Sequence, residues 1–152
     1  MTDEALAIVA AVWSGRALAH AGRHYRVDLP DGVAEPHDIP VWVAGTLPKI
    51  GSAHRAVRHD GIVLLGGDGE GMTRTPADVD LARKVLRANG LADGQPFDIV
   101  LPGNASHAWE EPKNVDLAGL AAAGMTWWLE SLIHYDPLEL TLAVVDAGPP
   151  RS

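Results

Sequence analysis

The spacing of apolar residues changes along the chain, and the changes divide it. Leu6, Ile8, Val9, Val12 and Trp13 give a broad apolar surface at helical spacing over residues 3–13. Thr2 or Asp3 stands where a capping side chain belongs, and Ser14-Gly15 ends the run. From Arg16 to Asp38 the periodicity is lost among Gly, His, Arg and Pro, with His24-Tyr25-Arg26-Val27 as a short edge strand. From Ile39 onward, short apolar runs alternate with helical patterns. The runs Val41–Ala44, Gly61–Leu65, Phe97–Leu101 and Met125–Leu129 predict strands. The intervening patterns predict helices over 48–59, 76–89, 114–123 and 137–147. Thr75 followed by Pro76 is a helix start, because the hydroxyl can accept an orphan N–H and proline lacks the N–H that has no partner there.

Continuous apolar strands are buried on both faces, and strand–helix alternation requires right-handed crossovers between parallel strands. The expected fold is therefore α/β: a single domain with an N-terminal helix and irregular arm (1–38) and four βα units (39–152). Ligands of such sheets lie beyond the carboxyl ends of the strands. Those ends fall at Gly45-Thr46, Gly66–Gly71, Pro102–Trp109 and Glu130–Tyr135.

Composition narrows the partners. A formal charge of −8 over 152 residues argues against nucleic acid or an anionic membrane surface. The absence of cysteine excludes disulfides, thiolate metal sites and cysteine nucleophiles, and fits a reducing compartment. With an acidic start, Met1-Thr2-Asp3-Glu4, and no apolar run long enough to span a bilayer, the expectation is a cytoplasmic protein. His20, His24 and His37 have no carboxylate or histidine at metal-ligand spacing, so no metal site is expected.

The candidate chemistry centres on the turn after the first of the four strands. A strand, a tight turn and a helix opening with Pro48 direct free backbone N–H groups at one point, and phosphate or carboxylate binds well there. Gly45 allows close approach, Thr46 adds a hydroxyl and Lys49 a cation. Gly66–Gly71 (GGDGEG) resembles a nucleotide loop but lacks the Lys-Ser/Thr of a P-loop, and Asp68 and Glu70 would repel phosphate. His107, Trp109 and Glu110 share a polar loop at the ligand end, where a His near a Glu could move protons. His54, with Arg55 and Arg58, reads as a solvated face. Trp127 and Trp128 alternate across a strand, so one faces the helices and the other the opposite side, with Glu130 as a polar candidate nearby.

Four stretches together resemble the luciferase-like monooxygenases, flavin- or deazaflavin-dependent (β/α)8 barrel oxidoreductases. They are Trp13-Ser14-Gly15 followed by Gly22-Arg23-His24-Tyr25; Ile39-Pro40-Val41-Trp42-Val43-Ala44-Gly45; Arg58-His59-Asp60-Gly61; and Gly124-Met125-Thr126-Trp127-Trp128-Leu129-Glu130 with Ala147–Arg151. The resemblance implies that the chain is the C-terminal half of such a TIM-type barrel. It implies a cofactor, FMN or the F-420 deazaflavin, whose phosphate is held at Gly45, Thr46 and Lys49, with the inward-facing one of Trp127 and Trp128 lining its pocket as the alternative to core packing. A barrel has eight βα units, and the first four would carry much of the ring pocket and the catalytic acid or histidine. No catalytic residue can be assigned here. The partner implied is either a copy of the chain, as a homodimer, or a separate N-terminal half. The alternative is a non-catalytic remnant or assembly partner.

Overall fold

The structure is a computed structural model in which residues 1–33, 35–46, 50–65, 75–103, 115–132 and 137–148 are described. The chain forms two compact units, Met1–Pro40 and Val41–Ser152.

In the first unit, helix α1 (Thr2–Trp13) precedes an antiparallel hairpin of β1 (Leu18–Ala21) and β2 (Arg26–Leu29). The arm is thus more regular than its composition suggests. Neither Thr2 nor Asp3 caps α1; the cap position is Met1, and no side chain bonds there. The acidic side chain that matters is Glu4, which reaches the hairpin turn. Its carboxylate accepts the backbone N–H groups of His24 (3.0 Å), Tyr25 (3.2 Å) and Arg23 (3.2 Å). The ring Nε2 of His20 lies 3.4 Å away. One side chain from the helix thereby satisfies a turn whose amides point outward together.

In the second unit, a parallel sheet is built in chain order: β3 (Trp42–Gly45), β4 (Gly61–Leu64), β5 (Asp98–Gly103) and β6 (Trp127–Glu130). Between them run α2 (Ile50–Ala56), α3 (Pro76–Ala88) and α4 (Leu117–Ala123), and α5 (Leu138–Ala147) follows. The α3 start is a capping box: Asp78 N–H donates to the Thr75 hydroxyl, and Thr75 N–H donates to the Asp78 carboxylate at 2.7 Å. Helix α4 ends on Gly124 in the left-handed region (φ 113°), and the Arg83 guanidinium donates to the half-buried Ala123 carbonyl at 3.0 Å.

Sequential strand order with right-handed crossovers places every connecting helix on one side of the sheet. The residues divide accordingly. Val43, Ile62, Leu64, Ile99 and Leu101 are buried on the helix side. They pack with Ala53 and Ala56 of α2, Val79, Ala82 and Leu86 of α3, and Leu120 of α4, all buried. By alternation the other side carries Trp42, Ala44, Val63, Asp98, Val100, Trp127 and Leu129. Ala44, Trp127 and Leu129 are exposed there.

Backbone links bind the strands at their amino ends. Asp60 accepts from Val41 N–H through its carboxylate (2.8 Å), donates its own N–H to the Val41 carbonyl, and accepts from Asp98 N–H. Thr126 joins β5 to β6 through Ile99 N–H, which donates to its hydroxyl at 2.9 Å.

The Glu4 clamp makes the first unit acid-sensitive. The amide bond from His24 leads the effects that hold the Glu4 carboxyl at about 2, below its ordinary 4.5. A lowered folded-state value means its contribution is complete above pH 4.5 and is lost as pH falls through 2. Glu4→Gln should therefore have lower hairpin protection than wild type at pH 6, with the difference vanishing near pH 2. Amide exchange at His24 and Tyr25 reads this directly, and a constant difference across the range would refute it.

Candidate functional site

The carboxyl ends of the four strands lie side by side. Beyond the strand ladder, Leu65 N–H donates to the Gly45 carbonyl (3.0 Å) and Ser131 N–H to the Gly103 carbonyl (2.7 Å). These links carry the alignment one residue past the strands. The edge so formed runs through Gly45-Thr46, Leu64-Leu65, Pro102-Gly103 and Glu130-Ser131.

Gly45 has a packing role that its sequence context did not reveal. It is buried and faces the helices, where a Cβ would fall 2.6 Å from Ser52 Cβ and 3.0 Å from its Oγ. Helix α2 sits directly on this backbone, and only glycine leaves room. Thr46 is half-buried, and continuing the alternation places it on the side of Trp42 and Ala44. Lys49 lies outside the described residues. So do Gly66–Gly71 with Asp68 and Glu70, and the loop bearing Asn104, Ser106, His107, Trp109 and Glu110.

The two adjacent tryptophans take opposite roles. Trp128 is on the helix side, its ring against Gly103, where any Cβ would collide with it. Its indole N–H donates to the Glu130 carboxylate at 2.7 Å. Glu130 is therefore engaged beside Trp128 and not beside Trp127. Trp127 is on the opposite, uncovered side and is 51% exposed.

Sequence reasoning missed a third tryptophan's role. Trp42 crosses the uncovered side of the sheet and donates its indole N–H to Asp98 at 3.0 Å. The crossing needs Gly61 in β4, because a Cβ there would meet Trp42 Cδ1 and Asp98 Cβ, each at 2.8 Å. The Trp42 and Trp127 rings then meet with centroids 5.5 Å apart and planes tilted by 50°. A signal was present: the register sets Trp42, Gly61 and Asp98 in one row, large–small–acceptor. Strand pairing was needed to see it.

Titratable clusters are sparse. Among the described residues, no three His, Asp or Glu side chains are grouped to hold a metal ion. No helix among them is long and apolar enough to cross a membrane.

The second unit thus presents a parallel sheet with one apolar, partly exposed side and Gly45 and Thr46 at its carboxyl edge. The family model for luciferase-like monooxygenases matches residues 1–111. The chain belongs to the luciferase-like monooxygenase family. No curated protein matches it. The luciferase-like match covers α1 through β5 and includes Gly45, Thr46 and the Trp42–Gly61–Asp98 row, while β6 and its tryptophans follow it.

Packing at Gly45 makes a sharp contrast with Gly51, whose added Cβ would meet nothing within 4 Å. Gly45→Ala should destabilise by about 1–3 kcal/mol, as overpacking does. Gly51→Ala, in the same helix–strand unit, should be neutral or stabilising by up to about 1 kcal/mol. Urea unfolding of both variants checks the pair; equal effects would contradict the close contact of α2 with β3.

Proposed function

We propose that the chain is the C-terminal half of a luciferase-like, flavin- or deazaflavin-dependent oxidoreductase, with four of the eight βα units of a TIM-type barrel. The observation that carries this is the sequentially ordered parallel sheet in a chain of this family, with an apolar, partly exposed side bearing Ala44, Trp127 and Leu129. In a closed barrel that side is interior, which accounts for Ala44, Trp127 and Leu129 standing exposed on it at the two edge strands.

The residues suit the cofactor. Thr46 offers a hydroxyl on the partly exposed side at the carboxyl edge. Lys49 follows in sequence as the cation for a phosphate. The uncovered side supplies a flat apolar surface for a ring system. The bound flavin or F-420 deazaflavin would supply the redox chemistry, hydride transfer or oxygen activation. The chain's share is to anchor the phosphate, orient the ring and exclude water from one side of it. The remaining strands, from a separate N-terminal half or a second copy, would bring the catalytic acid or base. With charge −8, small anions reach the site only through specific donors, so a diffuse basic surface is no part of this reading.

The test compares FMN with riboflavin, which has the same ring and no phosphate. FMN should bind more tightly, and Thr46→Val should remove about 10–100-fold of FMN affinity, the loss expected for one hydrogen bond to a charged group. Riboflavin affinity should not change. F-420, titrated in parallel, decides between the two cofactor classes. Equal binding of FMN and riboflavin would remove the phosphate anchor. Thr46 is preferred to Gly45 for this purpose, because any side chain at Gly45 displaces α2 first.

A further inference from the structure

The exposed indole of Trp127 is unexplained by phosphate anchoring. Burying a tryptophan is among the larger hydrophobic gains open to a chain, yet half of this one remains in solvent. Its pose is nevertheless fixed. Trp42 leans on it at 5.5 Å and 50°, and Trp42 is held by its N–H bond to Asp98 and by the gap at Gly61. In register with Trp127, across Val100 and Val63, lies the exposed Ala44, whose small side chain leaves the surface open. A rigid, half-exposed aromatic ring beside small apolar neighbours is a stacking platform.

We infer that Trp127 is the platform on which the ring system of the flavin or deazaflavin lies, and that Trp42 is the positioning residue that sets the platform's angle. The inference rests on the proposed cofactor class but not on the phosphate anchor. Trp127 and β3 are three strand spacings apart, about 14 Å along the sheet. Trp42 spans most of that distance, crossing Gly61 to reach Asp98 and meet the Trp127 ring. Trp42 acts through Trp127, and Asp98 holds Trp42, so neither needs to touch the ligand.

Riboflavin isolates the platform because it carries no phosphate. The full chain is titrated with riboflavin and the flavin's own emission is followed, since the chain's five tryptophans would blur a protein signal. Stacking on an indole should quench that emission. Trp127→Leu should weaken riboflavin binding by on the order of tenfold and lose the quenching. Trp127→Phe keeps a ring and should retain most of the affinity with less quenching. Trp42→Phe, which loses the bond to Asp98, should reduce quenching more than affinity. Trp128→Phe, on the helix side, should leave both unchanged.

If Trp127→Leu binds riboflavin as wild type does, the platform is wrong, and an FMN preference lost in Thr46→Val would leave the phosphate reading standing. If wild type binds neither flavin nor F-420, the platform and the proposed function fall together. If Trp127→Leu changes the sedimentation of the chain but not riboflavin affinity, the indole belongs to a contact between copies and the platform is overturned. Because Trp127 is half exposed, its variants should unfold at nearly the wild-type temperature; if Trp127→Leu does not fold, Trp127→Phe against Trp128→Phe decides the question alone.

Discussion

The structure of the second unit depends on one constraint, the hand of its crossovers. Parallel strands in the order β3-β4-β5-β6, each joined to the next by a right-handed connection, send every connecting helix to the same side. A sheet whose order reversed midway would be covered on both faces. Here Ile62, Leu101 and Leu86 are shut away completely on one side, while Ala44 and Trp127 meet solvent on the other. Everything proposed about a ligand follows from that asymmetry, because the uncovered side is not composed like a wet one. Within its strands Asp98 is the only charged residue, and its carboxylate receives the Trp42 indole N–H.

Three strand glycines absorb the large neighbours that such a sheet brings together. Gly45 makes room for Ser52 of α2, Gly103 for the Trp128 ring, and Gly61 for Trp42 on its way to Asp98. Two of these serve the helix side and one the uncovered side. The motif residues Asp60-Gly61 are accordingly structural. Asp60 ties the amino ends of β3, β4 and β5 through backbone groups, and Gly61 lets an indole cross. Gly45 shows how a glycine suited to close ligand approach can first be required by packing, and the phosphate reading has to rest on Thr46 and the following amides.

Much of this was legible in the chain. The strands GIVL and DIVL and the helix opened by Thr75-Pro76 lie where their patterns put them, because each is decided by local chemistry. The hairpin of the first unit was half-seen. Leu18–Ala21 alternates only alanine with leucine and histidine, too weak a contrast for a period-2 signal, and its turn is held by Glu4 from the helix, about 20 residues away. Continuous apolar strands imply cover on both faces, and the central strands β4 and β5 are largely buried so, whereas the edge strands β3 and β6 expose Ala44, Trp127 and Leu129. Period and composition report that a surface is apolar, and say nothing about which element covers it. The Trp42–Asp98 bond joins residues 56 apart and needed the register of three strands.

The two ends of the proposed site draw on different parts of the chain, and this has a physical consequence. Gly45 and Thr46 lie within the stretch matched by the family, and Trp127 lies beyond it. A phosphate grip depends on charge-assisted hydrogen bonds from a turn, which are directional and indifferent to the ring at the other end of the ligand. A stacking platform is indifferent to the phosphate and responds to ring area and electron density. Thr46 and Trp127 stand at separate strands, β3 and β6, but Trp42 of β3 rests on the Trp127 ring and links them. On the proposed reading the phosphate and ring contributions would therefore be coupled through β3 rather than simply additive.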